Sequence, residues 1–118
     1  MRLSFALLFI GVFIVAVSIP FAFSIFFTMQ HETAHQEVFR LYGQNSTILY
    51  SFFGISTTTP DDQSLDEATN LNLAASQSEV EAFGYQLRPV VTLLSFITSI
   101  LFLLTIIIIV GMKGCGVE

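Results

Sequence analysis

Two long stretches of the chain carry no charged residue: Leu3 to Gln30 and Pro89 to Met112. The second contains the run Leu101-Phe102-Leu103-Leu104-Thr105, followed by Ile106 to Ile109 and Val110. A bilayer core needs about 20 apolar helical residues, each rising about 1.5 Å. Both stretches meet that length, and a chain of 118 residues has no body large enough to bury two such helices. The pattern predicts transmembrane helices over 3–29 and 89–112, with a tail over 113–118. Pro20 falls inside the first and is expected to kink it, because proline removes a helix hydrogen bond. Arg2 and the triplet Ala22-Phe23-Ser24 also suit a cleaved signal peptide. The apolar run continues through Phe26 and Phe27, beyond a usual signal core, so a retained helix is expected.

The segment 30–88 alternates differently. Gln30 to Tyr42 holds helix formers and stops at Gly43, which predicts a helix continuing the first span. Thr47 to Thr59 is rich in Thr, Ile, Tyr and Phe, as a strand or a hairpin turning at Gly54 would be. Thr59 to Gln63 reads as a turn, and Ser64 or Asp66 can cap a helix beginning there. From Asp66 to Leu87, the positions Leu71, Ala74, Ala75, Ser78, Glu81, Ala82 and Tyr85 recur at helical spacing. Such a segment can lie on a membrane surface, but it lacks the Lys and Arg that surface helices favour. Packing within the segment is therefore expected. The fold class is a mainly α membrane protein: two transmembrane helices with a small α(+β) extramembrane domain between them.

Composition agrees and removes alternatives. Hydrophobic residues make up 53% and charged residues 11%, under half of the roughly 25% usual in soluble domains. Four Lys and Arg cannot build a phosphate-tracking patch, so no nucleic-acid partner is expected. Cys115 stands alone, which excludes a disulfide framework and a Cys-rich zinc site. Residues 30–88 carry Arg40 and Arg88 against eight carboxylates, a net charge of −6. Arg2 and Lys113 lie on the tails, and positive charge prefers the cytoplasmic side. Both termini are expected in the cytoplasm and the central domain outside. The triplet Asn45-Ser46-Thr47 is a glycosylation sequon and suits an outside loop.

The chain's only two His residues occur in His31-Glu32-Thr33-Ala34-His35. Residues four apart share a helix face, so both imidazoles can reach one zinc ion. Glu32 follows the first His and is placed to act as general base on a water polarised by the metal. Bland roles compete: interfacial His residues hydrogen bond lipid headgroups or backbone, and two His alone are an incomplete zinc site.

With no third His and one Cys, the remaining ligand is a carboxylate. Glu81 is the first choice. Antiparallel pairing of the two spans brings the segment after the first beside the segment before the second, and Glu81 lies eight residues before Pro89. Glu79, Asp66, Glu67 and Glu37 are the alternatives. Tyr85, one turn past Glu81, is a candidate catalytic donor to a developing oxyanion or an interfacial anchor. Gln77, one turn before Glu81, is a candidate partner behind a ligand.

The pattern resembles the zincin metallopeptidases, in their gluzincin branch, where H-E-x-x-H is followed by a carboxylate on a second helix. The resemblance implies His31 and His35 as zinc ligands, Glu32 as general base and Glu81 as third ligand. The chain is also similar to short two-span membrane proteins of archaea and their viruses. Those combine H-E-x-x-H with a Tyr-Gly pair, here Tyr42-Gly43, and an E-x-x-G-Y segment, here Glu81 to Tyr85. The expected function is a membrane-anchored zinc metallopeptidase hydrolysing peptide bonds near the bilayer surface. Phe52 and Phe53 would offer apolar pockets, and a strand edge would bind extended peptide. The alternative is a non-catalytic accessory or structural subunit of a larger membrane or viral membrane complex, with the His pair as a structural metal site. Ser and Thr within the spans suit packing against other membrane subunits.

Overall fold

A computed structural model describes residues 2–51, 56–61 and 64–114. Phe52, Phe53, Gly54 and Gln63, each given a role by the sequence pattern, lie outside the described residues, as does Cys115. The chain is mainly helical: α1 (Arg2–Leu41), β1 (Ser46–Tyr50), β2 (Ser56–Pro60) and α2 (Glu67–Gly114) follow in order. Both helices are long and apolar enough to cross a membrane. Two compact units divide the chain: residues 24–90 form one, and the flanking segments 2–23 and 91–114 form the other.

In the flanking unit, α1 runs through Pro20 without a break. Proline has no N–H to give the carbonyl four residues back, so the Ala16 carbonyl loses its helix partner. The Ser99 hydroxyl of α2 donates to that oxygen at 2.6 Å. Ala16 and Ser99 are both buried, as is Ser95 one turn earlier. Small side chains at this crossing let the two backbones approach closely. Ser95 itself turns back to donate to the Thr92 carbonyl at 2.7 Å.

In the central unit, α1 ends where the sequence places its stop. Gly43 adopts a φ of +72°, which suits glycine. Gln44 donates its N–H to the Phe39 carbonyl and Gly43 donates to that of Arg40, each at 3.0 Å. These two bonds form the glycine-terminated helix cap. β1 and β2 pair antiparallel, with Ser46 opposite Pro60 and Tyr50 opposite Ser56. Thr59 and Pro60 belong to β2 rather than to a turn. Pro60 ends the ladder, where its missing N–H costs little. Below it, Thr47 Oγ1 donates to Asp61 Oδ1 at 2.7 Å.

α2 opens at a cap. Asp66 Oδ1 accepts the Thr69 N–H at 2.7 Å, and this bond holds the Asp66 carboxyl below the usual carboxylate range. α2 then continues through Pro89 to Gly114 as one helix, where the sequence pattern divides it into a domain helix ending at Leu87 and a span beginning at Pro89. Proline there removes a single backbone bond, the one to the Tyr85 carbonyl. Leu87 and Arg88 before it and Leu93 and Leu94 after it are helix formers that carry the helix past Val90, Val91 and Thr92.

Candidate metal centre

The H-E-x-x-H segment lies on α1, and its faces separate two tasks. His31 and His35 stand one above the other on the face turned to α2. Glu32 and Gln36, also four apart, stand about 100° around the helix and face the hairpin. Gln36 Nε2 donates to the Ser46 carbonyl at 3.0 Å. Thr58 Oγ1 of β2 donates to Glu32 Oε2 at 2.6 Å and lies 3.2 Å from the Glu32 carbonyl. Glu32 is 7% exposed and His35 8%.

Opposite the His pair, α2 presents Gln77, Glu81 and Gly84, which share a face at spacings of four and three. The segments run antiparallel, so Gln77 meets His35, Gly84 meets His31, and Glu81 falls between. The imidazole Nε2 atoms lie 3.2 Å apart. Glu81 Oε1 is 3.2 Å from His35 Nε2, and Glu81 Oε2 is 3.6 Å from His31 Nε2. A tetrahedral ion with bonds of about 2.0–2.1 Å separates its donors by about 3.3 Å. The three residues therefore form a group able to hold a metal ion. Its donor set, two imidazoles and a carboxylate, leaves at least one coordination position for water or substrate.

The surroundings orient these donors. His35 Nδ1 hydrogen bonds Gln77 Oε1. An amide oxygen only accepts, so Nδ1 carries the proton and the Nε2 lone pair points into the cluster. Gln77 Nε2 in turn donates to the His35 carbonyl at 3.2 Å, so one amide fixes both the ring and its backbone. Tyr42 OH and Ser76 Oγ lie 3.1 Å apart and join the same two helices one layer away. The His31 ring stacks parallel to Phe27, one turn earlier, with centroids 6.2 Å apart. His31 meets the His35 ring edge-on at 4.7 Å.

Of the residues named from sequence, His31, His35 and Glu81 converge, with Gln77 behind His35. Glu79 is not in the cluster but lines a groove beside it. Asp66 caps α2, and Glu37 pairs with Arg40 at 2.8 Å. Tyr85 lies about 80° off the Gln77–Glu81–Gly84 face, and the residue is 70% exposed. Among the contacts with no counterpart in the sequence reading, two bear directly on the motif: Thr58 with Glu32, and Gly84 with His31. A glycine inside a helical run often marks a close approach, so the second had a signal. The first depends on where the hairpin docks, which no local pattern encodes. Comparisons with family models, curated proteins and solved structures find no match for this chain.

Proposed function

We propose that the chain is a two-span membrane protein whose central unit binds a divalent metal, zinc by preference, and hydrolyses peptide bonds near the bilayer surface. The observation that carries this reading is the convergence of both His Nε2 atoms and the Glu81 carboxylate at tetrahedral donor spacing. Membrane insertion rests on two features. The charge-free runs of 28 and 24 residues rise about 42 and 36 Å as helix, against a hydrocarbon core of about 30 Å. Only 6% and 11% of the most apolar windows are buried within the protein, whereas a soluble core helix hides most of its apolar surface.

His31, His35 and Glu81 would hold such a metal, which would supply Lewis acidity to a substrate carbonyl and ease deprotonation of the attacking water. The residues divide the remaining work. His31 and His35 present imidazole Nε2 atoms, the His35 ring oriented by Gln77. Glu81 is 52% exposed at its side chain and supplies the carboxylate at the open side. Glu32 is the proposed base, its carboxylate held in one orientation by Thr58. Tyr85 would have to change rotamer to reach an oxyanion.

The test combines metal analysis with a peptidase assay on purified protein. Wild type carries about one equivalent of metal, His35→Ala carries none, and Glu32→Gln retains metal while losing hydrolysis. Wild-type protein without bound metal sinks the reading.

One observation favours a second reading. The buried Glu32 clamps the hairpin to α1 through Thr58, a structural job that needs no chemistry. In that reading the cluster is a structural metal site in a subunit of a larger membrane assembly. Copurification with a stable complex whose activity survives His31→Ala supports it.

A further inference from the structure

A groove of about 540 Å³ runs along the α1–α2 pair in the central unit, within the size range of ligand clefts. Its walls are a stripe of α1 through Phe27, Ala34 and Val38 and a stripe of α2 through Val80, Phe83 and Leu87. Ala34 is two positions from Glu32 and Gln36, about 200° around α1, so the groove lies on the side of α1 away from those two residues, and none of the described hairpin residues lines it. His31 belongs both to this lining and to the metal cluster. Glu32 and His35 are buried and Glu81 is not part of this lining, so His31 is the donor residue that the groove reaches.

We propose that this groove holds the substrate, and that the substrate is an uncharged, apolar polypeptide segment. This builds on the hydrolytic reading of the cluster and names what that centre would cut. Three features select this occupant. The walls are apolar along both stripes, so they bind side chains by burial. Among the described residues the lining includes Glu79 but no Lys or Arg, which leaves an anionic lipid headgroup without a partner and disfavours acidic peptides. A segment in the groove passes His31, so its backbone carbonyls run beside the cluster, where hydrolysis requires them. Phe27 lies inside the first charge-free run, and Leu87 stands two residues before the second.

The experiment uses full-length, zinc-loaded protein in phosphatidylcholine nanodiscs. The probe is a fluorescein-labelled ten-residue peptide of Leu, Phe and Ala with a terminal Lys, and binding is followed by anisotropy. Ala34→Trp fills the groove, and Phe83→Asp places a charge on its wall at an exposed side chain. Each is expected to weaken binding at least tenfold with metal content and circular dichroism unchanged. Phe83→Asp decides the matter if Ala34→Trp does not fold. Equal binding by wild type and the folded variants overturns the proposal, as does absent peptide binding with saturable binding of lysophosphatidylcholine. Hydrolysis is measured in parallel. Groove-dependent binding without cleavage by wild type keeps the groove and removes the peptidase reading. Cleavage that the groove variants leave unchanged does the reverse.

Discussion

Gly84 lies against the edge of the His31 imidazole so closely that a Cβ at position 84 would sit 2.5 Å from Cε1 and 2.6 Å from Nδ1. Neither distance is tolerated between non-bonded atoms, and the neighbouring atoms belong to a ring held on another side by Phe27. Gly84→Ala must therefore swing His31 out of the cluster or part the helices. Overpacking of this kind costs about 1–3 kcal/mol. The expected outcome is loss of tight metal binding, with the cobalt-substituted protein losing its visible d–d absorption. An unaltered spectrum would show that the ring does not depend on this contact.

Gln77 acts on the other imidazole. Its amide oxygen takes the His35 Nδ1 proton and its nitrogen ties the His35 backbone. Removing such a partner typically lowers metal affinity about 10- to 100-fold. Gln77→Ala is expected to lose that much in a competition titration with a chelating dye, and Gln77→Glu, which still accepts the proton, to recover most of it. Equal losses in both variants would assign Gln77 to packing alone.

These two contacts also mark what a sequence can and cannot reveal here. Glu81 and Gln77 were legible because antiparallel helices bring residues at equal distance from the two apolar runs to one height. Height is a one-dimensional quantity that counting supplies. Rotation is not: Tyr85 has the same four-residue spacing from Glu81 as Gln77, yet Gly84 occupies the α1-facing position and leaves Tyr85 to solvent. The continuity of α2 through Pro89 was also illegible. The local bias of a residue preceding proline speaks against helix, while the apolar and helix-forming residues on both sides outweigh it. The docking of the hairpin on Glu32 and Gln36 arises from side-chain bonds between elements distant in sequence.

Asp66 gives a pH dependence. Its folded-state carboxyl is held below the ordinary range by the Thr69 N–H, so the ionised cap contributes stability above the unfolded value. That contribution is lost as pH falls through the lowered folded value. The Thr69 amide is expected to stay protected from hydrogen exchange near neutral pH and to lose relative protection in strong acid. Asp66→Asn, a good cap without a charge, is expected to flatten this response. A response equally steep in Asp66→Asn would assign it to other carboxylates.

The bond from Ser99 to the Ala16 carbonyl makes the clearest case for coupling between two positions that never touch a ligand. Pro20 strips that carbonyl of its helix partner, and a bare carbonyl among apolar side chains is costly. The Ser99 hydroxyl, arriving from α2, replaces the missing N–H at 2.6 Å. Interhelical hydrogen bonds in apolar surroundings contribute about 0.6–1.7 kcal/mol, and this one should fall at the upper end because Pro20 has no N–H to give its acceptor. Ser99→Ala is expected to destabilise the wild-type protein by about that amount in a mixed-micelle unfolding titration. In a Pro20→Ala background, the restored N–H satisfies the carbonyl, so the same Ser99→Ala change is expected to cost less than half as much. The double-mutant cycle isolates the coupling. If Ser99→Ala costs the same in both backgrounds, the hydroxyl serves only as a small side chain at the crossing and the rescue of the Pro20 defect is disproved.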